Sequence, residues 1–196
     1  IDIDSGAIVV DSIDLNNISF KRLQELRSKF GMVFQFGALF DSMSVSENIG
    51  LALQKLTNCD LVFSRFVLEH LRPETIKSMH LKFKKELKPG AHIVHLISPG
   101  DHRAYLDKEL SLQDFLKYSR REWQKKQTRF DYHNRLRLPQ YKAIFKAAGL
   151  ELLHIEYDQP GVDSFKRFKS LNIHKDFKKF TDKELTSGSF NVVLRV

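Results

Sequence analysis

One short stretch, "SPGDHRAYLD", holds a compact group of side chains that could move a proton. Asp101 stands next to His102, whose imidazole has an unperturbed pKa near neutrality, so the two could act as an acid/base pair. Arg103 and Tyr105 follow them and are candidates for substrate contacts. Because neighbouring residues of a strand point to opposite faces, Asp101 and His102 can cooperate only in a loop. These two residues are the catalytic candidates of the sequence.

A second polar group lies in "DYHNRLR". His133, Asn134 and Arg135 are predicted substrate contacts, and the guanidinium groups of Arg135 and Arg137 could each bind a carboxylate or phosphate bidentately. A hydrogen-bond network that supports the entry of a helix explains the same residues equally well. The sequence leaves these two alternatives open.

No metal site is predicted. The single cysteine, Cys59, excludes a multi-cysteine zinc site and an intrachain disulfide, and favours a reducing compartment. Among the histidines 92, 95, 102 and 133, the first two are three residues apart on a predicted strand and should fall on opposite faces.

A third group follows the apolar run "CDLVF". Ser64, Arg65 and Phe66 come where a buried strand should end, and ligands of open α/β folds bind outside the carboxyl ends of the strands. These residues are therefore predicted to contact a cofactor. The alternative is that they are ordinary residues of a strand-to-helix turn.

The elements that must position these groups follow an α/β order. "CDLVFSRF" and "AHIVHLIS" are predicted buried strands, separated by a helical segment and a Pro89-Gly90 turn, which makes a βαβ unit with a right-handed crossover. Residues 99–140 are predicted to be a helical insertion. A helix and strand in "LPQYKAIFKAAGLELLHIEYD" and a final strand in "SFNVVLRV" complete a mostly parallel sheet with helices on both faces.

The first part of the chain predicts further elements. "AIVV" is a short strand, "FKRLQELRSKF" an amphipathic helix that Gly31 ends, "MVFQ" a strand, and "SVSENIGLALQKL" a helix. "MVFQ" and "DLVFS" are expected to share one sheet, because neither part of the chain has enough apolar sequence for a core of its own.

Composition restricts the partners. The formal charge of +8 favours anionic partners, although a solvated basic surface explains it equally. The basic, aromatic run "FKRFKSLNIHKDFKKF" is interpreted as an amphipathic connector, so no nucleic-acid partner is predicted. No apolar run approaches the roughly 18 residues of a membrane span, so we expect no transmembrane segment and a cytoplasmic location.

Two motif blocks, "SGAIVVDSIDL" and "LQELRSKFGMVFQFGALFDSMSVSENI", resemble the ATP-binding subunits of ABC transporters of the lipid and phospholipid transport group. The resemblance covers about residues 1–54 and defines a first part, 1–57. It implies that Gln35 is the glutamine that contacts the magnesium of Mg-ATP and the attacking water. It also implies that the segment after Gln35 meets a membrane subunit.

The same resemblance implies what the nucleotide site would need. The phosphate-binding G-x-x-x-x-G-K-[ST] loop should precede Ser5, and the signature motif, the Asp-Glu strand and the switch histidine should follow Leu53. The sequence shows none of them. Because phosphoryl transfer depends on all these groups together, Gln35 alone is not expected to hydrolyse ATP.

Residues 58–196 resemble the C-terminal half of a class I S-adenosylmethionine-dependent methyltransferase. The motifs are "CDLVFSRFVLEHL", "LKPGAHIVHLIS", "YHNRLRLPQYKAIFKAAGLEL" and "SFNVVLRV", with Ala91 where the family usually has a second glycine. The resemblance implies a Rossmann-like half with an antiparallel last strand, S-adenosylmethionine as cofactor and a small-molecule methyl acceptor. The family's "EH" pattern, here Glu69-His70, makes His70 a further cofactor candidate, although a hydrogen-bonded pair at a helix start is an equal alternative.

The methyltransferase part also has a deficit. The Gly-rich loop and the ribose-binding acidic residue of that family should precede residue 58, yet residues 1–57 contain no G-x-G. Cofactor binding is therefore expected to be weak or lost. The sequence is interpreted as a chimera with inherited methyltransferase function, and the alternatives are an ATP-binding fragment of a lipid transporter and an inactive α/β hybrid.

Overall fold

The computed structural model describes residues 5–27, 30–32, 59–127 and 132–196, and in this part of the chain it has two sheets. Strands β1 (Val9–Val10) and β2 (Ile13–Asp14) form an antiparallel pair. The larger sheet has the order β3-β4-β5-β7-β6. Its strands are β3 (Phe30–Met32), β4 (Leu61–Arg65), β5 (His92–Ile97), β6 (Glu151–Tyr157) and β7 (Phe190–Arg195).

The helices of the described residues flank and connect these strands. They are α1 (Phe20–Arg27), α2 (Pro73–Glu86), α3 (Arg103–Leu106), α4 (Arg120–Lys126), α5 (Leu138–Ala147), α6 (Val162–Lys169) and α7 (Asp182–Thr186). Short 3-10 helices lie at Leu15–Asn17, Leu68–His70, Asp114–Lys117 and Lys175–Phe177. Within the described ranges no helix is long and apolar enough to cross a membrane.

The predicted α/β class is confirmed. Strands β3, β4 and β5 pair in parallel, and β7 lies antiparallel to both of its neighbours, as the sequence predicts for the last strand. The insertion is helical in its described part, where α3 and α4 follow β5 and α5 begins at Leu138.

The sheet continues across the proposed boundary between the two parts of the chain. Phe30 pairs with Leu61 and Met32 with Phe63, so β3 and β4 are parallel neighbours as expected. One prediction here is wrong in its bounds: α1 ends at Arg27 and Phe30 already belongs to a strand, so Gly31 does not end the helix. Residues 33–35 of "MVFQ" and the predicted helix from Ser44 lie outside the described residues.

The sequence of α2 explains where this helix begins and which of its residues are buried. Pro73 occupies the first turn, where its missing N–H costs nothing, and the helix therefore begins there rather than continuing from Leu68–His70. Ile76, Met79, His80 and Phe83 recur every three or four residues and are buried against the sheet. Gly90, with a φ of 87°, then turns the chain into β5.

Two apolar clusters hold these elements together. The larger one joins β4, β5, β7, α2 and α5 and includes Ile93, Phe145 and Leu194, all almost completely buried. The smaller one packs the insertion and the C-terminal connector around Phe115 and Trp123. The connector is amphipathic, because Phe168 and Phe177 lie in this smaller cluster while the basic side chains of Lys166 and Lys169 are exposed. Its apolar side packs against the insertion and not, as expected, against the sheet.

Candidate functional site

The carboxyl ends of β4 and β5 lie side by side and carry the candidate residues. Arg65 pairs with Leu96, and the Phe66 N–H donates to the Leu96 carbonyl at 2.7 Å. The following 3-10 helix, Leu68–His70, returns over the edge, and the Ser98 N–H donates to Oε1 of Glu69 at 3.3 Å. The turn after β4 and the loop after β5 therefore form one continuous wall.

The segment after the insertion crosses this wall. The side-chain amide of Asn134 donates to the carbonyls of Leu68 at 2.7 Å and Leu71 at 2.9 Å, and its backbone N–H donates to the Glu69 carbonyl at 2.9 Å. Oδ1 of the Asn134 side chain accepts from the Leu136 N–H at 2.9 Å. Asn134 thus fastens the 3-10 helix to the start of α5.

We predict that Asn134→Ala destabilises the chain by about 2 kcal/mol or more, because it removes the side-chain hydrogen bonds to the Leu68 and Leu71 carbonyls and the acceptor of the Leu136 N–H. Asn191→Ala is the matched control. Within the described residues the Asn191 side chain hydrogen-bonds one other side chain, that of the exposed Glu156. Urea unfolding of both variants measures the difference. Equal midpoints for the two variants would contradict the structural role given to Asn134.

Three histidines meet at this wall. The His70 and His102 ring centroids are 5.0 Å apart, His102 and His133 4.5 Å, and His70 and His133 5.6 Å. Ligand atoms of Glu69, His70 and His102 lie within 4.8 Å of one another. The structure therefore brings together residues from three separate stretches of the chain, 69–70, 102 and 133.

Burial sets the protonation of this cluster. The Glu69 side chain is fully buried, and desolvation raises its pKa to about 7. Desolvation also lowers the pKa of His133 well below its ordinary value, helped by the neighbouring positive groups of His102, His70 and Arg137. Glu69 Oε2 and both ring nitrogens of His133 are buried without a hydrogen-bond partner. Near neutral pH the cluster holds a neutral His133 and a carboxyl group that titrates close to the working pH.

Asp101 and His102 contact different side chains. Its Oδ1 accepts from Nε of Arg103 at 3.0 Å and its Oδ2 from a terminal nitrogen of Arg103 at 2.6 Å, while the same Arg103 contacts Asp114 at 3.0 Å. This bonding raises the pKa of Arg103 above its ordinary value. Arg103 and Asp101 thus fix the loop to the insertion, and His102 alone of the predicted acid/base pair joins the histidine cluster.

Tyr105 lies at the rim of the same loop. Its side chain is half exposed, and its hydroxyl oxygen is 3.0 Å from Oγ of Ser98. In this position the Tyr105 side chain is accessible to a substrate, so the predicted contact is sterically possible.

Ser64 faces the interior rather than the rim. Its hydroxyl is 2.6 Å from Nδ1 of His95, whose Nε2 is 2.9 Å from Nε2 of His80. His80 Nδ1 is 2.7 Å from the Ile76 carbonyl and must donate to it, so the order of donors is fixed: Ser64 to His95, His95 to His80, His80 to Ile76. With its side chain occupied in this way, Ser64 has only its backbone to offer a cofactor.

Arg65 and Phe66 lie beside a cavity of about 490 Å³. The Arg65 guanidinium is 4.7 Å from the centre of the Phe66 ring. Phe66 has a φ of 56°, a conformation that bulky residues adopt only at a cost, and such strain is concentrated at functional sites. The remaining lining comes from Leu96, Glu156, Tyr157, Asp158, Ser189 and Asn191.

Arg135 hydrogen-bonds backbone carbonyls of the insertion. It is buried, has a φ of 60°, and donates to the carbonyls of Phe115 at 2.8 Å and Tyr118 at 2.6 Å. Arg137, also buried, donates to the Pro99 carbonyl at 2.5 Å. These contacts agree with the alternative of a network at the helix entry. Burial lowers the pKa of both to about 10, so both remain cations at neutral pH.

Tyr132, His133, Asn134 and Arg135 also border a second cavity, of about 660 Å³. It opens between the wall and the insertion and has space for a small acceptor. The cavity and the cluster share His133.

Sequence reasoning missed the role of Glu69, which it treated only as part of a pattern, and the convergence of His70 with His102 and His133. No local signal marks this convergence, because His133 is brought to the wall by contacts of the insertion. The Trp123 indole N–H donates to the His133 carbonyl at 2.9 Å, and the side chain of Gln127 accepts from the His133 N–H at 2.5 Å. Gln35, the predicted nucleotide contact, lies outside the described residues.

No family model matches the chain. Among curated proteins, the methionine import ATP-binding protein MetN of Vibrio vulnificus is 46% identical over 86 residues, which cover 44% of this chain and 25% of the relative. A probable ribonucleotide transport ATP-binding protein, mkl of Mycobacterium bovis, is 41% identical over 86 residues, covering 43% and 24%. The chain therefore spans about a quarter of the length of these relatives.

Solved structures give a different class of neighbour. An S-adenosylmethionine-dependent methyltransferase from Mesorhizobium loti has a TM-score of 0.40 and 14% identity, covering 70% of this chain and 62% of its own. Phosphoethanolamine N-methyltransferase 2 from Haemonchus contortus has a TM-score of 0.38 and 16% identity, covering 71% and 33%. The chain is thus similar in sequence to ATP-binding subunits over less than half of its length.

Proposed function

We propose that the chain carries the acceptor side of an S-adenosylmethionine-dependent methyltransferase site. The observation that carries the proposal is the convergence of His70, His102 and His133 at the carboxyl ends of parallel strands, where α/β folds bind their ligands. A small-molecule acceptor would enter the cavity beside His133.

The chemistry asks little of the protein beyond alignment and one proton transfer. Bound S-adenosylmethionine would supply the methyl group: the acceptor's oxygen or nitrogen would bond to the methyl carbon as the bond from that carbon to sulfur breaks, and the electron pair of that bond would stay on the sulfur of S-adenosylhomocysteine. His102 is the residue to take the acceptor's proton, because it is partly exposed whereas His133 is buried, and His70 is assigned to the cofactor side. Asp101 is occupied by Arg103 and takes no part in the step.

The cofactor side of the site is proposed to be impaired. Arg65, Phe66 and His70 would supply contacts from the turn after β4, and the backbone of Ser64 would add to them. Residues 1–57 contain no G-x-G to hold the methionine end of the cofactor. The impaired site would therefore bind S-adenosylmethionine weakly.

The match with ATP-binding subunits favours a second candidate, a fragment of a transport ATPase in which Gln35 contacts Mg-ATP and the adjoining segment meets a membrane subunit. The printed sequence has no G-x-x-x-x-G-K-[ST] loop for the phosphates. The third candidate is an α/β hybrid that binds neither ligand.

A thermal-shift comparison separates the three. A ligand at about ten times its dissociation constant stabilises the native state by about 1.4 kcal/mol, which raises the melting temperature by a few degrees in a chain of this size. We expect such a shift with tens of millimolar S-adenosylhomocysteine and none with Mg-ATP. A shift with Mg-ATP alone would favour the transport fragment, and no shift with either ligand would favour the inactive hybrid.

A further inference from the structure

We propose that Glu69, His70 and His102 form a binding site for a divalent cation of the zinc class. The sequence predicts no metal site, and its argument about His92 and His95 is sound, since one is exposed and the other buried. The residues that converge are different ones. This inference does not depend on the proposed methyl transfer, because a metal can be bound and measured without cofactor or acceptor. A His102 ring that ligates the ion is not available to take a proton, so the metal-bound chain and the chain that transfers a methyl group are alternative states of the same residues.

The first support is geometric. One ligand atom each from Glu69, His70 and His102 lies within 4.8 Å of the other two. Ligands of a tetrahedral zinc ion, bonded at about 2.1 Å, are roughly 3.4 Å apart, so small side-chain rotations close the site. The three residues are held at one place by backbone contacts of the turn after β4 and the loop after β5, which limits the reorganisation needed.

The second support is the state of the buried donors. Glu69 Oε2 and both nitrogens of His133 are buried and lack a hydrogen-bond partner. Such groups are costly to keep and are rare in folded proteins, so each asks for a reason. Glu69 is fully buried and the His133 side chain is more than nine-tenths buried. A cation bound at Glu69 Oε2 would satisfy that lone pair and compensate the carboxylate charge.

The third support is the orientation of the donors by their neighbours. His70 Nδ1 is 3.0 Å from the Tyr132 carbonyl and therefore donates to it, which leaves the lone pair on Nε2, as in histidines that bind metals. Glu69 Oε1 accepts from the Ser98 N–H at 3.3 Å, which leaves Oε2 as the ligand atom. Each of these two residues thus offers one defined ligand atom to a cation, Nε2 of His70 and Oε2 of Glu69.

The donor set selects the cation. Imidazole nitrogens with one carboxylate suit Zn²⁺ and its first-row neighbours, whereas Mg²⁺ and Ca²⁺ require mostly oxygen ligands. Three protein ligands leave a tetrahedral position for an oxygen from the cavity that His133 borders. The site is thus suited to a bound ion that faces a small oxygen-bearing molecule.

The test is zinc binding to the untagged full chain, freed of metal by a chelator, measured by calorimetry and by elemental analysis after dialysis. We expect one Zn²⁺ per chain. His102→Ala and Glu69→Gln should each weaken binding at least tenfold, since each removes one ligand. His154→Ala is the matched control, because His154 is exposed on β6 and should leave binding unchanged.

Co²⁺ provides a second measurement that is specific to geometry. We expect visible absorption bands of a tetrahedral Co²⁺ site in the parent chain and in His154→Ala, and their loss in His102→Ala. Circular dichroism verifies that each variant is folded, and the partly exposed His102 makes its variant decisive if Glu69→Gln does not fold. Absence of stoichiometric zinc, or zinc bound equally by His102→Ala and the parent chain, would overturn the proposal.

Discussion

S-adenosylmethionine is expected to bind this chain with a dissociation constant in the millimolar range. The turn after β4 and the loop after β5 offer one wall of a pocket, through Arg65, Phe66 and His70. The hydrogen bonds that a Gly-rich loop and a ribose-binding carboxylate would add are each worth on the order of 1–3 kcal/mol, some of them charge-assisted. Their loss removes at least ~4 kcal/mol, which is about a thousandfold in affinity.

Isothermal titration calorimetry of the metal-free chain measures this affinity directly. A dissociation constant at or below roughly 10 micromolar would mean that residues 1–57 rebuild the missing wall and that the chain is a working enzyme. S-adenosylhomocysteine serves as the control ligand, because it lacks the transferable methyl group and the sulfonium charge but has the same adenosine and amino-acid ends. Similar affinities for the two would show that the sulfonium finds no partner in the pocket.

The fold was predictable from sequence where local signals agree with one another. The apolar runs of β4 and β5, the Pro89-Gly90 turn and the helical period of α2 each indicate the same βαβ unit, and the structure has it. The end of α1 was missed, because Phe30 fits the apolar stripe of a helix as well as it fits a strand. Periodicity cannot separate these cases when a strand has only three residues.

Several residues of the candidate site could be predicted from the sequence, but their side-chain contacts with one another could not. His102, His133 and Asn134 were all singled out, yet the sequence paired His102 with Asp101, its neighbour in the chain. In the structure Asp101 accepts hydrogen bonds from Arg103, and the His102 ring lies against the rings of His70 and His133. Side-chain partners across long separations depend on how the insertion packs, through contacts such as that of Trp123 with His133, and no local pattern encodes them.

The buried Ser64–His95–His80 chain leads to the second large effect, on stability. Its hydrogen bonds are complete with both imidazoles neutral, and a proton added to either ring would place a charge in the fully buried interior. Desolvation lowers the pKa of His80 from 6.5 to about 4, and desolvation together with the charge of His80 lowers that of His95 well below its ordinary value. Both rings are completely buried, so solvent does not screen these effects.

The sign follows from proton counting. Between pH 6.5 and about 4 the unfolded chain binds protons at these histidines and the native chain does not, so the stability they support is complete above pH 6.5 and falls as the pH falls. At about 1.4 kcal/mol per pKa unit, His80 alone accounts for about 3 kcal/mol over this window, and His95 adds in the same direction. Glu69 acts oppositely, because its pKa is raised to about 7 and its protonation favours the native state as the pH falls below that value.

A difference measurement isolates the histidine pair from Glu69. In Ser64→Ala/His80→Leu/His95→Leu every side chain of the buried chain becomes apolar at once, so no donor or acceptor is left without a partner, and replacement of this kind is often close to neutral in stability. We expect denaturant unfolding between pH 7 and pH 4 to show a loss of stability in the parent chain that exceeds the loss in this variant by about 3 kcal/mol or more. His92→Leu, at an exposed position of the same strand, should keep the parent's pH dependence. If the triple variant does not fold, nitrogen-15 spectra of the parent chain decide the question instead, because a His80 or His95 ring that becomes protonated between pH 7 and pH 5 while the chain stays folded would contradict the lowered pKa values on which this prediction rests.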